Sequence, residues 1–208
     1  METKVPGGRI GIAPHSLRAV TLGDLTWAAA TWRGQPAHIH VSEQTREVED
    51  CLAAHGRRPI DLLLDTVEVD DHWCLVHATH ADKAERARIA KAQAVVGLCP
   101  ITEANLGDGL FDVPDFLAQS GRFGVGSDSN VRISAADELR TLEYGQRLIH
   151  RRRNSWARPI NRPAAACSTP RSPAAAKPSA PTTMPPSRWT AASTTGCSPP
   201  TTRRSSRS

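Results

Sequence analysis

Acidic residues are absent from the end of this 208-residue chain, because all 21 Asp and Glu lie at or before Glu143. The last 54 residues also lack Leu, Val, Phe and Tyr, and they hold ten of the 16 prolines. Eight basic residues give this segment a charge of +8, whereas eighteen basic against 21 acidic residues give residues 1–154 a charge of −3. The last segment has too few apolar side chains for their burial to offset the conformational entropy that folding would cost. Composition therefore predicts one folded domain, 1–154, followed by a disordered basic tail, 155–208, and excludes a basic nucleic-acid-binding fold.

Long apolar runs are also missing. No run approaches the roughly 18 residues that a membrane span requires, and the first residues contain no apolar signal-peptide segment. The five cysteines are odd in number and show no Cys-x-x-Cys spacing, which favours free thiols in a reducing cytosol. The sequence predicts a cytoplasmic protein without a membrane partner.

Short apolar runs alternate with helical patterns along residues 1–154. The runs predict five strands, at Arg9–Ala13, Ala37–Val41, Trp73–Val76, Ala94–Leu98 and Phe123–Gly126. A helix is expected after each strand, and the helical patterns cover Glu47–His55, Pro59–Leu64, Asp82–Ala92, Pro114–Gln119 and Ser134–Arg153. This alternation is typical of βαβ units and a parallel sheet. Since a complete eight-stranded barrel takes about 250 residues, five units make part of a barrel or a small open sheet.

Polar side chains follow the predicted strands at their carboxyl ends, which is where parallel α/β folds place active sites. Each residue alone has an ordinary explanation, because a strand histidine is usually packed and an Asp after Gly-Ser usually caps a turn. Together, imidazoles and carboxylates at neighbouring strand ends can bind a cation, carry protons and stabilise developing charge in metal-assisted hydrolysis. In chain order these residues are His15 and Arg18, then His38, His40 and Glu43, then His77 and His80, then Glu103 and Asn105, and finally Asp128.

The sequence around these residues resembles a known family. The strings APHSLRAV (13–20), HIHVSEQ (38–44), WCLVHATH (73–80), GLCPITEANLGDGLF (97–111) and GSDSNVRIS with ELRTLEYGQRL (126–148) are similar to the formimidoylglutamate deiminases, a branch of the amidohydrolase superfamily. The resemblance runs from about Arg9 to Asn154. It implies a partial (β/α)8 TIM barrel of about five C-terminal βα units, and one divalent metal ion, usually Zn²⁺. It also implies hydrolysis of N-formimidoyl-L-glutamate to N-formyl-L-glutamate and ammonia in histidine degradation.

The resemblance implies a role for each matching residue. His40 and Asp128 would be metal ligands, and Asp128 would also act as the general base. Glu43 would carry a proton to the imine nitrogen, and His77 would stabilise the tetrahedral intermediate. His15 and Arg18 would bind substrate, and a guanidinium suits the carboxylates of a glutamate moiety. The loop 102–109 is expected to line the pocket without a role for any single residue, and His38 and His80 are expected to be structural.

The family pattern also implies groups that this sequence does not contain. Two metal ligands in a His-x-His pair are expected on the first barrel strand, whereas His38 and His40 match the fifth-strand motif. We therefore expect weak zinc affinity, open strand edges and no activity of the chain alone. The parent enzyme is expected to act on a small molecule as a homodimer, without a specific nucleic-acid partner.

Alternatives remain for the tail and for the function. The tail is either a natural basic interaction segment or the product of translation in a shifted frame of GC-rich DNA. The frameshift is favoured because plausible codons for Ser155–Ala180, read one base earlier, give a helical pattern similar to the family's continuation. The function is either that of the deiminase, that of another deaminase of the superfamily, or that of a non-catalytic protein using its basic tail.

Overall fold

The computed structural model describes residues 8–130 and 132–155. These residues form seven helices and four strands, in chain order α1 Leu22–Thr31, β1 Ala37–Val41, α2 Thr45–His55, α3 Pro59–Thr66, β2 Trp73–His77, α4 Lys83–Lys91, β3 Val95–Leu98, α5 Pro100–Leu106, α6 Val113–Ala118, β4 Arg122–Val125 and α7 Ala135–His150. The predicted tail, 155–208, lies outside the described residues apart from Ser155. Within the described ranges, no helix combines the length and the apolar character needed to cross a membrane.

The four strands form one parallel sheet in the order β1-β2-β3-β4. Each strand pairs with the next strand of the sequence, and connections between parallel strands are right-handed. The helices that connect the strands therefore lie on the same face of the sheet. Ile39, Leu75 and Val96 on that face are fully buried. Ile60, Ile89 and other helix residues belong to the same core. The predicted parallel βα arrangement is confirmed.

The first predicted strand, Arg9–Ala13, is wrong as a continuous element. Only isolated parallel bridges join this segment to β1, one from Ile12 to Ala37 and one from Ser16 to His40. Pro14 between them has no amide hydrogen to continue the ladder. The segment therefore follows the edge of β1 and places the residues after Pro14 beside the carboxyl end of that strand.

The segment 102–109 was expected to be a loop, and most of the part before Gly107 is helical instead. Residues Pro100–Leu106 form helix α5, with proline in its first turn and Gly107 ending it at a φ of 72°. Proline is tolerated there because the first helical amides need no intrahelical acceptor, and glycine adopts the left-handed conformation without steric cost. These start and stop signals are present in the sequence, so the helix could have been predicted.

A buried carboxylate in α4 joins the start of α4 to the start of α3 and carries a stability prediction. Glu85 is fully buried, and its Oε2 accepts hydrogen bonds from Arg58 Nε at 2.9 Å and from the Asp82 amide at 2.9 Å. Removing one partner of a buried pair leaves an uncompensated charge. We expect Arg58→Ala to lower the free energy of unfolding by about 3 kcal/mol, measured by urea denaturation of the full chain.

The matched control is Arg46→Ala, which removes an arginine that is 86% exposed and pairs with Asp50 within α2. Exposed pairs of this kind contribute about 0.5 kcal/mol or less. Equal losses in the two variants would contradict the assigned role of Arg58.

Candidate active site

The polar residues predicted from strand ends gather at the carboxyl edge of the sheet. His40 lies in β1, His77 is the last residue of β2, and Asp128 follows β4 after two residues. The backbone of His77 and Asp128 is left-handed, with φ of 66° and 52°, and Ser42 after β1 has a φ of 52°. Such values are uncommon for residues other than glycine and concentrate at functional sites. They turn the chain sharply at the point where each strand ends.

His77 is the centre of the cluster and is 1% exposed. Its Nε2 lies 3.5 Å from Glu43 Oε1 and 3.7 Å from Asp128 Oδ2. Its Nδ1 lies 3.2 Å from Glu103 Oε1. The ring of His77 therefore contacts three carboxylates that come from three different strand ends.

The protonation of His77 follows from these neighbours. Burial lowers the pKa of His77, and the hydrogen bond to Glu103 raises it. The charges of Glu43 and Asp128 raise it further, so the net pKa lies above the ordinary value of 6.5. A cationic imidazole between carboxylates can stabilise negative charge that develops in a reaction.

The raised pKa of His77 predicts a pH-dependent stability of the metal-free chain. A group whose pKa is higher in the folded state stabilises that state fully below its unfolded pKa, and the contribution is lost as the pH rises through the folded value. We expect the free energy of unfolding to fall as the pH rises from about 6.5, because His77 loses its proton. Urea denaturation across this range, in the presence of a chelator, measures the effect.

The control for this titration is the exposed His38 of β1. The variant His77→Gln should remove the pH-dependent component, whereas His38→Gln should leave it. A wild-type slope that survives His77→Gln would assign the titration to another group.

His40 is oriented by the segment that precedes β1. Its Nδ1 lies 2.8 Å from the carbonyl oxygen of His15, and the two rings stack with centroids 4.9 Å apart. A carbonyl only accepts, so Nδ1 carries the hydrogen and Nε2 keeps its lone pair. Metal-binding histidines are commonly fixed in this manner, with one nitrogen donating to a carbonyl and the other free for the ion.

Arg18 and His15 lie at the rim of the cluster. Arg18 Nη2 is 3.9 Å from Glu43 Oε2, and its side chain is 44% exposed. His15 Nδ1 is 3.0 Å from the hydroxyl of the adjacent Ser16. The structure therefore places both predicted substrate-binding residues beside the site, and Arg18 keeps donors for an anionic ligand, because Glu43 is its one ion-pair partner within residues 8–130 and 132–155.

Two other histidines were expected to be structural. His38 is exposed on β1. His80 is half-buried, and its amide donates to the carbonyl of Ser42 at 3.0 Å, which ties the end of β2 to the end of β1. Within residues 8–130 and 132–155, neither side chain makes a hydrogen bond, ion pair or ring contact with Glu43, His77, Glu103 or Asp128.

Glu103 is the residue that the sequence placed near the pocket without assigning a role. It lies in the first turns of α5, is 1% exposed, and holds both the His77 ring and the Cys99 amide. Pro100 and Gly107 predict that its backbone is helical, but they do not predict that its side chain contacts the ring of His77. That contact spans 26 residues and depends on packing between β2 and α5.

A divalent cation fits this donor set. Three carboxylates surround one imidazole, which leaves the cluster with excess negative charge, and His40 keeps a free Nε2. His40 and Asp128 are the residues that would hold the ion. A trio of possible ligands at this edge of the sheet is instead His77, Cys99 and Asp128, whose donor atoms lie within 4.8 Å of one another. We favour the pair because the three neighbouring carboxylates raise the pKa of His77, which disfavours the neutral imidazole that a metal ion needs, and because burial and nearby carboxylates raise the pKa of the Cys99 thiol to about 12.

Comparison with known proteins agrees with this geometry. Residues 4–165 match the model of the amidohydrolase family. Formimidoylglutamate deiminase of Pseudomonas aeruginosa is 58% identical over 149 residues, which are 71% of this chain and 33% of that enzyme. A 5-methylthioadenosine/S-adenosylhomocysteine deaminase of Natronomonas pharaonis is 30% identical over 140 residues, or 64% of this chain and 32% of that protein.

Solved structures give the same result. A crystal structure of an amidohydrolase from Brucella melitensis has a TM-score of 0.71 and 55% identity, covering 73% of this chain and 34% of that one. An adenosine deaminase from Xanthomonas campestris with bound zinc has a TM-score of 0.63 and 25% identity, covering 68% of this chain and 33% of that one. The chain thus spans about a third of the length of the relatives that it matches.

A parallel βα array with histidines and carboxylates at the carboxyl ends of its strands is the arrangement of part of a (β/α)8 barrel. The chain belongs to the amidohydrolase family. The expected fold class, a partial (β/α)8 barrel of this superfamily, is confirmed by the parallel sheet and by these structural relatives.

Proposed function

We propose that the chain is part of a metal-dependent enzyme that hydrolyses N-formimidoyl-L-glutamate to N-formyl-L-glutamate and ammonia. The observation that carries the proposal is the meeting of Glu43, His77 and Asp128, with both carboxylates within 3.7 Å of one ring nitrogen. The name and 58% identity of the Pseudomonas aeruginosa relative support this substrate. We also propose a cytoplasmic location, a homodimeric parent and zinc as the metal ion.

The site offers each group that hydrolysis of an amidine requires. A divalent cation held by His40, Asp128 and further ligands would lower the pKa of water and make it a nucleophile at neutral pH. Asp128 takes the proton of the attacking water. His77 donates a hydrogen bond to the charge that develops as the formimidoyl carbon becomes tetrahedral.

Glu43 supplies the proton for departure of the leaving group. Its carboxyl lies on the same side of His77 as Asp128, so a proton taken by one carboxylate has a short path to the other. The oxygen of water forms a new bond to carbon, the bond from carbon to the terminal nitrogen breaks, and ammonia leaves with the transferred protons. Arg18 holds a carboxylate of the glutamate moiety at the rim.

The test is a chimera in which residues 9–154 of this chain replace the matching part of the Pseudomonas aeruginosa enzyme. Release of ammonia from N-formimidoyl-L-glutamate is measured with added zinc, alongside the unaltered host enzyme. We expect turnover within about tenfold of the host, a difference of about 1.4 kcal/mol in activation free energy. If a folded, metal-loaded chimera deaminates 5′-methylthioadenosine instead, the result would favour the alternative function, that of another deaminase such as the Natronomonas pharaonis relative.

Arg18 provides a separate test of the substrate. A charge-assisted hydrogen bond contributes about 1.5–3 kcal/mol, so we expect Arg18→Met in the chimera to lower kcat/KM for N-formimidoyl-L-glutamate by about 10- to 100-fold. Formamidine has the same reactive group and no carboxylate, and its kcat/KM should change little. The measurement is steady-state kinetics on both substrates.

Arg46→Met is the control, because that arginine is exposed on α2 and pairs only with Asp50 among the described residues. It should leave both substrates unaffected. An equal loss on both substrates in Arg18→Met would show that Arg18 acts through Glu43, its neighbour at 3.9 Å, rather than by binding a carboxylate.

A further inference from the structure

Glu103 is one of the buried glutamates of the described residues, and it lies next to the ring of His77. Its side chain is 1% exposed in the first turn of α5, and its Oε1 lies 3.2 Å from His77 Nδ1. Burying a carboxylate is costly unless hydrogen bonds or an opposite charge compensate it. The partners of Glu103 therefore indicate what its burial achieves.

One oxygen of Glu103 makes both of its contacts. Oε1 accepts the Cys99 amide at 2.8 Å and lies 3.2 Å from His77 Nδ1. Oε2 is also buried and has no hydrogen-bond partner in the described part of the chain. A carboxylate has no hydrogen to donate, so in this contact the hydrogen is assigned to His77 Nδ1 and Glu103 Oε1 is the acceptor.

This contact decides which ring nitrogen of His77 reaches the reaction site. With Nδ1 held by Glu103, Nε2 is the nitrogen that lies 3.5 Å from Glu43 and 3.7 Å from Asp128. An imidazole held at one nitrogen by a carboxylate keeps a fixed ring orientation. The left-handed backbone of His77, with a φ of 66°, sets the direction of the side chain but not the rotation of the ring.

We infer that Glu103 is a positioning residue, which fixes the His77 ring so that Nε2 faces Glu43 and Asp128. The inference deepens the proposed function, because it rests on the role given to His77 there. It assigns Glu103 no direct contact with substrate.

A purely structural role for Glu103 is the competing explanation, and Glu138 provides a matched control for it. Glu138 is also 1% exposed, and its Oε2 accepts the amide of Ile101 in α5 at 2.9 Å. Its other oxygen is likewise buried without a partner in the described part of the chain. Each glutamate thus accepts a backbone amide at the start of α5. Of the two, Glu103 is the one that contacts His77 in the described part of the chain.

The experiment uses the full 208-residue chain, labelled with ¹⁵N and kept metal-free with a chelator. The hydrogen on His77 Nδ1 is observed by NMR near neutral pH and assigned by its disappearance in His77→Gln. We expect a slowly exchanging signal in the wild type. Glu103→Ala should abolish it, whereas Glu103→Gln, which keeps a neutral acceptor of the same length, should retain a shifted signal with faster exchange.

Glu138→Gln should leave the His77 signal unchanged. Circular dichroism establishes that each variant is folded, and Glu103→Gln carries the test if Glu103→Ala unfolds. An unchanged His77 signal in Glu103→Gln, or an equal change in Glu138→Gln, would overturn the inference. No turnover is measured, so an inactive chimera would overturn the proposed function while leaving this result intact.

Discussion

Replacing Asp128 by asparagine is expected to lower kcat of the chimera about a thousandfold or more, which is the upper part of the range for loss of a general base. Asparagine keeps the shape of the side chain and tolerates the left-handed conformation, here a φ of 52°, so the backbone should be preserved. The variant therefore removes a charge from beside His77 Nε2, at 3.7 Å, with little other change. Loss of the charge removes both a proton acceptor and an anionic metal ligand.

The measurements are ammonia release and the zinc content of the purified chimera. We expect both to fall in Asp128→Asn. The control is Glu49→Gln, which alters an exposed carboxylate on α2 and should change neither quantity. Normal turnover with a full complement of zinc in Asp128→Asn would remove Asp128 from the mechanism.

The arrangement of His40, His77 and Asp128 could be predicted because parallel strands share one direction. Residues at the carboxyl ends of neighbouring strands meet at one edge of the sheet whatever the details of packing. The order of the strands, β1 to β4, follows the order of the sequence. To predict that these residues lie close together, it is enough to locate the end of each strand to within a residue or two.

Contacts that depend on packing between elements were not predictable in this way. Leu148 is an apolar residue of the helix predicted over Ser134–Arg153, yet it is 79% exposed. Gln146, two residues earlier, is fully buried because its amide nitrogen donates to the carbonyl of Phe111 at 2.8 Å. Periodicity identifies apolar positions, but it does not show that a polar side chain will find a partner 35 residues away.

Glu43 is expected to show a different kinetic effect from Asp128. Its side chain is 14% exposed, with Oε1 at 3.5 Å from His77 Nε2, and its amide donates to Glu47 Oε2 at 2.9 Å. Glutamine at position 43 keeps these backbone contacts and the length of the side chain but cannot deliver a proton. We expect Glu43→Gln in the chimera to lower kcat by about 10²- to 10⁴-fold.

The zinc content of Glu43→Gln should equal that of the unaltered chimera, because Glu43 transfers protons in the proposed mechanism and is not assigned as a ligand. KM should change little, since the lost interaction forms in the transition state and not in the bound substrate. Glu49→Gln, an exposed change on α2, is the control and should leave kcat intact. A large loss of zinc in Glu43→Gln would make Glu43 a metal ligand, and an unchanged kcat would require another proton donor for the departing ammonia.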